Sequence, residues 1–267
     1  VDFIMQIGTF ARTTEQVIRG LESAPDFIDL RLDHHHTIEF SAAKSAMAKE
    51  SVPCTLHLPS NPEWRPIDIA QDVIPYVDLG WMIEAELVTF HSPLSTLFYT
   101  DEEIDSFLQT FPLAYDSAQE AGITLAVETL GHYYTELALL FDKFPKLRMV
   151  LDVGHGQILS IQNRALEHIQ SFPDYIAIVN IHDNNACEKY QEWIQRKSLS
   201  DLERVELREL ARQCDEHLPI GEGKIDFDPI FASLKERRYD GRFLMMCADP
   251  YAFNEERRKF MDLWLAA

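Results

Sequence analysis

The chain has few cysteines, few basic residues and no long apolar run, and each shortage removes a class of protein. Its four cysteines, Cys54, Cys187, Cys214 and Cys247, lie far apart and form no C-x-x-C pair. In a chain of 267 residues that is no disulfide scaffold; it points to a reducing compartment, with the cytoplasm as the expected location. No stretch of about 18 apolar residues is present, so neither a membrane-spanning helix nor a membrane partner is expected. The start, Val1-Asp2-Phe3-Ile4-Met5, has no basic segment and no small-residue cleavage site, so it reads as a strand rather than a signal peptide. Only 24 Lys and Arg stand against 44 Asp and Glu, a net charge of −20. Binding a nucleic-acid duplex needs clustered cations to displace counterions from phosphates, so a nucleic-acid partner is not expected. The first strand is followed by Gly8-Thr9-Phe10-Ala11-Arg12 and not by G-x-G-x-x-G, which argues against an open dinucleotide-binding sheet.

What the chain does have is rhythm. Short apolar runs at 3–10, 27–32, 53–58, 87–92, 123–130, 147–153, 176–182 and 242–247 are rich in β-branched and aromatic residues, as buried parallel strands are. Helical patterns lie between them at 13–23, 40–49, 67–85, 101–121, 135–143, 164–172 and 227–237. Thr100-Asp101-Glu102-Glu103 is a helix start and Ala121-Gly122 a helix stop. Eight strands alternating with helices over about 250 residues predict one (β/α)8 barrel occupying 1–267 as a single domain. One segment breaks the alternation. Residues 185–214, after the seventh strand, have helical character at 190–197 and 201–212 and form an insertion above the active-site face. A lid, a subunit contact in a homo-oligomer and a tolerated surface insertion are equally open for it. A closing helix is expected over 254–265.

In such a barrel the residues at the C-terminal strand ends converge on one pocket. The strand exits here read Thr55-Leu56-His57, Thr89-Phe90-His91, Val127-Glu128, Leu151-Asp152 with His155 just beyond, and Asn180-Ile181-His182; the insertion returns with Asp215-Glu216-His217. A lone histidine at such a place is more often a satisfied core residue than a ligand. Five metal-ligand types at five consecutive strand ends are a different matter. Buried carboxylates and imidazoles aimed at one point would repel or go unsatisfied, and a divalent cation resolves both problems. Mixed imidazole and carboxylate donors suit zinc, manganese, iron or cobalt, with magnesium left open.

The run Ala126-Val127-Glu128-Thr129, then Leu151-Asp152-Val153-Gly154-His155, then Asn180-Ile181-His182-Asp183-Asn184 resembles the xylose-isomerase-like barrel superfamily, which includes sugar isomerases, epimerases and endonuclease IV. The most specific piece is the D-x-H-x-P-x-G-x-G-x-I-D pattern from Asp215 to Asp226. The resemblance implies that Glu128, Asp152 and His182 hold the core metal. It implies that His57 and His91 hold an additional ion, and that Asp215 and His217 join His155 at a third. It also implies that Glu128 and His155 act on substrate in the isomerase members. Trp64 lies near a loop at the same face and is a candidate substrate wall beside His155.

One position departs from the family. Counting from Gly241, Met246 stands where the eighth strand carries a glutamate, so the two-carboxylate proton shuttle of the epimerases is in doubt. The reading that results is a metal-dependent isomerase or epimerase of a sugar, sugar phosphate or small hydroxyketone. A phosphoester hydrolase with two or three metals and a non-catalytic metal-binding barrel are the alternatives. His34-His35-His36 reads as a solvated loop. Arg12, Arg31 and Arg65 read as surface or salt-bridged residues, although each is a candidate partner for an anionic group.

Overall fold

The computed structural model describes residues 5–33, 35–59, 68–196 and 203–267. Its strands are β1 (Gln6–Ala11), β2 (Ile28–Arg31), β3 (Cys54–His57), β4 (Val88–His91), β5 (Leu125–Glu128), β6 (Arg148–Asp152), β7 (Ile176–Ile181) and β8 (Arg242–Met245). Each pairs in parallel with the next, and β1 closes on β8 to complete the barrel. Trp64, Arg65 and His34 fall outside the described residues, as does the 197–202 part of the insertion.

Side chains alternate along a strand, and the alternation here separates a packed outer layer from the barrel interior. Ile28 and Leu30, Leu56, Val88 and Phe90, Leu125 and Val127, and Phe243 and Met245 join the large core under the helices. The opposite phase points inward. Lower in the barrel it is apolar on the β5 to β8 side, with Ala126, Val150, Ile178 and Leu244 packed together, and polar on the β2 to β4 side, with buried Asp29, Thr55 and Thr89. At the top it turns polar. Arg31, His57, His91, Glu128 and Asp152 are the last residues of β2 to β6 in turn, so one phase and one height bring all five to the same mouth.

The helices are α1 (Thr14–Glu22), α2 (Phe40–Glu50), α3 (Ile74–Ile83), α4 (Asp101–Ala121), α5 (Tyr134–Lys143), α6 (Val153–Gln157), α7 (Ala165–Ser171), α8 (Ala186–Ile194), α9 (Arg204–Cys214), α10 (Asp228–Glu236) and α11 (Phe253–Ala266). The longest, α4, starts and stops where the sequence says. Thr100 and Glu103 form a reciprocal capping box and Gly122 ends the helix at φ 72°. The helix expected over 67–85 is divided. A π-helical turn, Ile69–Val73, precedes α3, where Pro75 stands in the first turn and has no N–H to continue the earlier ladder. The five-residue α6 has no counterpart in the sequence reading, because it is too short to show a period.

The insertion forms α8 and α9. Ala186, Leu207, Ala211 and Cys214 from these helices pack with Phe98, Tyr99, Leu130, Ile158 and Leu159 from the loops that leave β4, β5 and β6. The insertion is therefore seated on the C-terminal face of the barrel. No helix among the described residues is long and apolar enough to cross a membrane.

Candidate metal centre

Eight of the nine site residues expected from the sequence converge at the barrel mouth; the ninth, Trp64, lies outside the described residues. Three sets form, each with one donor atom per residue lying within 4.8 Å of the others: His57, His91 and Glu128; Glu128, Asp152 and His155; and His155, His182, Asp215 and His217. Glu128 and His155 each belong to two sets, so the three are continuous.

Glu128 is fully buried at the centre. Its Oε2 lies 2.9 Å from His57 Nε2 and its Oε1 2.9 Å from His91 Nε2. Asn180, two residues before His182 on β7, donates from Nδ2 to Glu128 Oε2 at 3.1 Å and to Asp152 Oδ2 at 3.0 Å. The sequence reading quoted Asn180 but gave it no role. Its signal was parity, since it shares the inward phase of His182.

Asp152 does two jobs. Its Oδ1 accepts the His155 backbone N–H at 2.7 Å and so caps α6, while the same oxygen lies 2.9 Å from His182 Nε2. The cap turns the chain sharply after β6 and brings His155 back over the mouth. A Cβ on Gly154 would sit 1.9 Å from His182 Cε1, so only glycine lets the His182 ring lie where it does. The His182 ring in turn stacks on His217, with centroids 4.0 Å apart.

The return loop is held from below by Asp183. Its Oδ1 accepts from the N–H groups of Asn184 and Ile225, and its Oδ2 from those of Gly221 and Gly223, all at 2.9–3.0 Å. Gly221 adopts φ 84°, and a Cβ on Gly223 would meet Asp183 Oδ1 at 2.3 Å. These are the glycines of the G-x-G motif, and their function is to wrap backbone amides around one buried carboxylate. That wrapping fixes the segment carrying Asp215 and His217.

The histidine tautomers test whether this set fits a cation. His57 Nδ1 lies 2.8 Å from the Leu58 carbonyl, His155 Nδ1 3.1 Å from that of Thr129, and His217 Nδ1 2.8 Å from that of Met246. A carbonyl only accepts, so each Nδ1 carries the proton and donates. With Nδ1 so engaged, each Nε2 is the atom left to face a carboxylate oxygen. The distances are 2.9 Å from His57 to Glu128, 3.5 Å from His155 to Asp215 and 3.3 Å from His217 to Asp215. A nitrogen lone pair against a carboxylate oxygen is repulsive unless a positive charge, a second proton or a metal ion, lies between them, and a main-chain carbonyl on the far nitrogen is the arrangement that orients metal-binding histidines. The donor set fits a divalent cation.

The electrostatics agree. Burial alone would raise the Glu128 carboxyl, but the His91 and His57 rings outweigh it and hold it well below the usual range. Burial likewise opposes Asp215, and His217 and His155 overcome it. His155 is pushed up to about 10, because Asp152, Asp215 and Glu128 together exceed the burial that would lower it. His182 and His91 are lowered, in both cases chiefly by burial. Burial would lower His217 too, but Asp215 outweighs it and raises the ring, so without an ion His155 and His217 favour holding a proton beside the carboxylates, and a cation binding there would displace it.

Two earlier expectations are corrected or sharpened. Arg31 is not a surface residue: it is 6% exposed, and no carboxylate among the described residues pairs with it. Strand parity turns it inward beside the ligands. Arg12, by contrast, does pair with Asp33. Met246 is buried with the interior cluster, so the count from Gly241 gives the right phase. Asp249, which would have to bend inward to replace the missing carboxylate, instead caps a short turn by accepting the Tyr251 N–H. Cys247 places its Sγ 3.3 Å from the Asp249 carbonyl. His35 is exposed, as a solvated loop residue should be.

The solved structures similar to this chain include a D-tagatose 3-epimerase-like protein (TM-score 0.69, 17% identity, 98% of this chain and 99% of that one). An L-ribulose 3-epimerase superposes with TM-score 0.67 at 13% identity over 98% and 95%. The IolI protein with a bound zinc atom superposes with TM-score 0.69 at 15% identity over 98% and 99%. Two uncharacterized proteins of Methanocaldococcus jannaschii are each 24% identical, over 64% and 62% of this chain. The matches take in 57% and 52% of their own lengths, so the chain spans about half of these curated relatives. The xylose isomerase-like TIM barrel model matches residues 18–262, and the chain belongs to that family.

Proposed function

We propose that the chain is a divalent-metal-dependent isomerase of a small hydroxylated carbonyl compound of the sugar class, working with a single carboxylate base. The observation that supports it is the set of three imidazole Nε2 atoms turned onto carboxylate oxygens at the barrel mouth, each ring with its Nδ1 on a main-chain carbonyl, and Met246 in place of a second acid. The epimerases among the similar structures favour the substrate class. Glu128, Asp152 and His182 would hold the core ion, His57 and His91 a second, and His155, Asp215 and His217 a third. A bound ion supplies Lewis acidity, polarising a carbonyl and acidifying the neighbouring C–H.

The protein's own groups set the stereochemistry. Inverting one carbon requires a base on each face of the substrate. Moving a carbonyl between adjacent carbons requires only one. Glu128 takes the proton from the carbon beside the carbonyl, an enediol forms as the hydroxyl proton shifts between the two oxygens, and Glu128 returns the proton to the neighbouring carbon from the same face. His155 orients the hydroxyl, and the apolar loops under α8 and α9 keep bulk water away. Met246 has no proton to give, so aldose–ketose interconversion fits this mouth better than epimerisation.

A second reading, metal-dependent phosphoester hydrolysis, is favoured by the sharing of Glu128 and His155 between donor sets, which allows two or three ions per chain. One experiment separates the two. A panel of aldoses, ketoses and their phosphates is incubated with metal-replete protein in D2O and followed by proton and phosphorus NMR. Deuterium entering one carbon, lost in Glu128→Gln, is the expected result. Inorganic phosphate released without exchange would replace the isomerase with the hydrolase, and neither signal would reject both.

A further inference from the structure

Arg31 is a buried cation that forms no ion pair with any carboxylate among the described residues. Its Nη1 lies 3.2 Å from Met246 Sδ, and its Nη2 lies 3.5 Å from His57 Nε2. Neither is an adequate partner. A thioether is a weak acceptor, and His57 Nε2 already faces Glu128. A guanidinium stays charged under all ordinary conditions and offers five donors in a fixed fork. Leaving one buried beside sulfur is strongly unfavourable unless something supplies the missing charge.

The described residues do not supply it. There are 44 acidic residues against 24 basic, yet no carboxylate among the described residues pairs with Arg31. Asp29 lies two residues back on the same inward face and accepts from Thr55 Oγ1 at 2.5 Å. Asp33, at the mouth of β2, is taken by Arg12. Glu128 is held by His57, His91 and Asn180. On the β1 and β8 side of Arg31, Phe10 and Met246 belong to the apolar interior cluster, and on the other side β3 sets His57 opposite Arg31 in register, so no anion faces the guanidinium from either side among the described residues.

We propose that Arg31 is an anion subsite: it binds the phosphate or carboxylate group of the substrate while the remainder reaches the ligands on β3 to β7. This deepens the isomerase reading by making the substrate an anionic sugar derivative, and it rests on that reading only in taking the mouth as the site of chemistry. Met246 belongs to the same device. A carboxylate at that position would pair with Arg31 and close the subsite, whereas sulfur leaves the fork available.

The test measures binding and needs no turnover, so it can fail without the reaction failing and succeed whatever the reaction is. Metal-replete wild type, Arg31→Met, Arg31→Lys and Met246→Glu are titrated calorimetrically with inorganic phosphate and, separately, with acetate. Metal per chain and circular dichroism are recorded on the same samples. The expected result is binding of at least one probe to wild type, weakened 10-fold or more in Arg31→Met and Met246→Glu and less in Arg31→Lys, with metal content unchanged in Arg31→Met. A stronger response to phosphate assigns a phosphorylated substrate, and a stronger response to acetate a carboxylated one; either supports the subsite. Equal affinity in wild type and Arg31→Met would place the anion on the metals and overturn the proposal, as would a wild type that binds neither probe. Should Arg31→Met fold poorly, Met246→Glu decides alone: undiminished binding there overturns it too.

Discussion

The mouth of the barrel is two unlike arcs. From β3 round to β7, with the return loop, every strand end offers an imidazole or a carboxylate, and eight such groups interlock. From β8 through β1 to β2 the same height carries Met246, Phe10 and Arg31. The first arc is overdetermined at most positions: main-chain carbonyls hold His57, His155 and His217, the Asn180 amide holds Glu128 and Asp152, and the Asp152 cap turns His155 inward. The second has a cation and little to hold it. Under the proposed function one arc would carry positive charge brought from outside and the other would meet negative charge, as a substrate with a neutral reacting end and an anionic tail requires.

The largest expected effect lies in the first arc. Asp152→Ala and His182→Ala should each weaken metal binding by more than about 100-fold, since loss of an outer-shell partner alone typically costs 10- to 100-fold. Elemental analysis after dialysis against a weak chelator reads this directly, and unchanged occupancy in both variants would break the contrast between the arcs.

Gly154→Ala sharpens the comparison by leaving every donor in place. The added methyl would fall 1.9 Å from His182 Cε1, so the ring must move and its stacking on His217 must open. Metal affinity should drop by about 10- to 100-fold with circular dichroism unchanged. An affinity within twofold of wild type would mean that the site tolerates ring displacement and is not overdetermined.

Asp183→Asn tests the support of the return loop. The amide cannot accept on its nitrogen, so the Gly221 and Gly223 N–H groups, or their counterparts on the other oxygen, lose a charged acceptor. A cost of about 2–4 kcal/mol is expected from denaturant unfolding, with metal stoichiometry falling toward the ions that do not use Asp215 and His217. Full stoichiometry would show that the loop is fixed by other contacts.

Most of the first arc was legible in the sequence and most of the second was not, for a physical reason. His57, His91, Glu128 and Asp152 announce themselves by type, because imidazoles and carboxylates closing apolar runs need an explanation. Arg31 closes an apolar run at the same height, but arginine at a strand end is ordinary at the surface and only three-dimensional parity turns it inward. The strand boundaries fell within a few residues because apolar alternation is local. The α6 turn is too short to show a period, and the Asn180 bridge and the Asp183 cradle depend on partners up to 52 residues away in sequence, which no local pattern encodes.

The smallest effect concerns the rim of the first arc. His132 is completely buried on the loop leaving β5. Its Nδ1 accepts the Leu130 backbone N–H at 2.9 Å, so Nε2 must carry the proton and donate to Ser92 Oγ, also at 2.9 Å. A second proton would have to displace the Leu130 bond, and burial, aided by His168, pushes the ring down to about 3. The unfolded chain takes up a proton near pH 6.5 that the folded chain refuses. The unfolded state therefore binds more protons below that pH, and stability falls as pH falls from about 6.5 toward 3. At pH 5 the contribution is a loss of about 2 kcal/mol relative to neutral pH. His132→Asn keeps a donor and an acceptor without titrating, so the drop in unfolding free energy between pH 7.5 and pH 5 should be smaller in that variant by about this amount. Parallel pH profiles for the two proteins would show that His132 takes up its proton in the folded state, and the rim of the metal arc would then be looser than its hydrogen bonds imply.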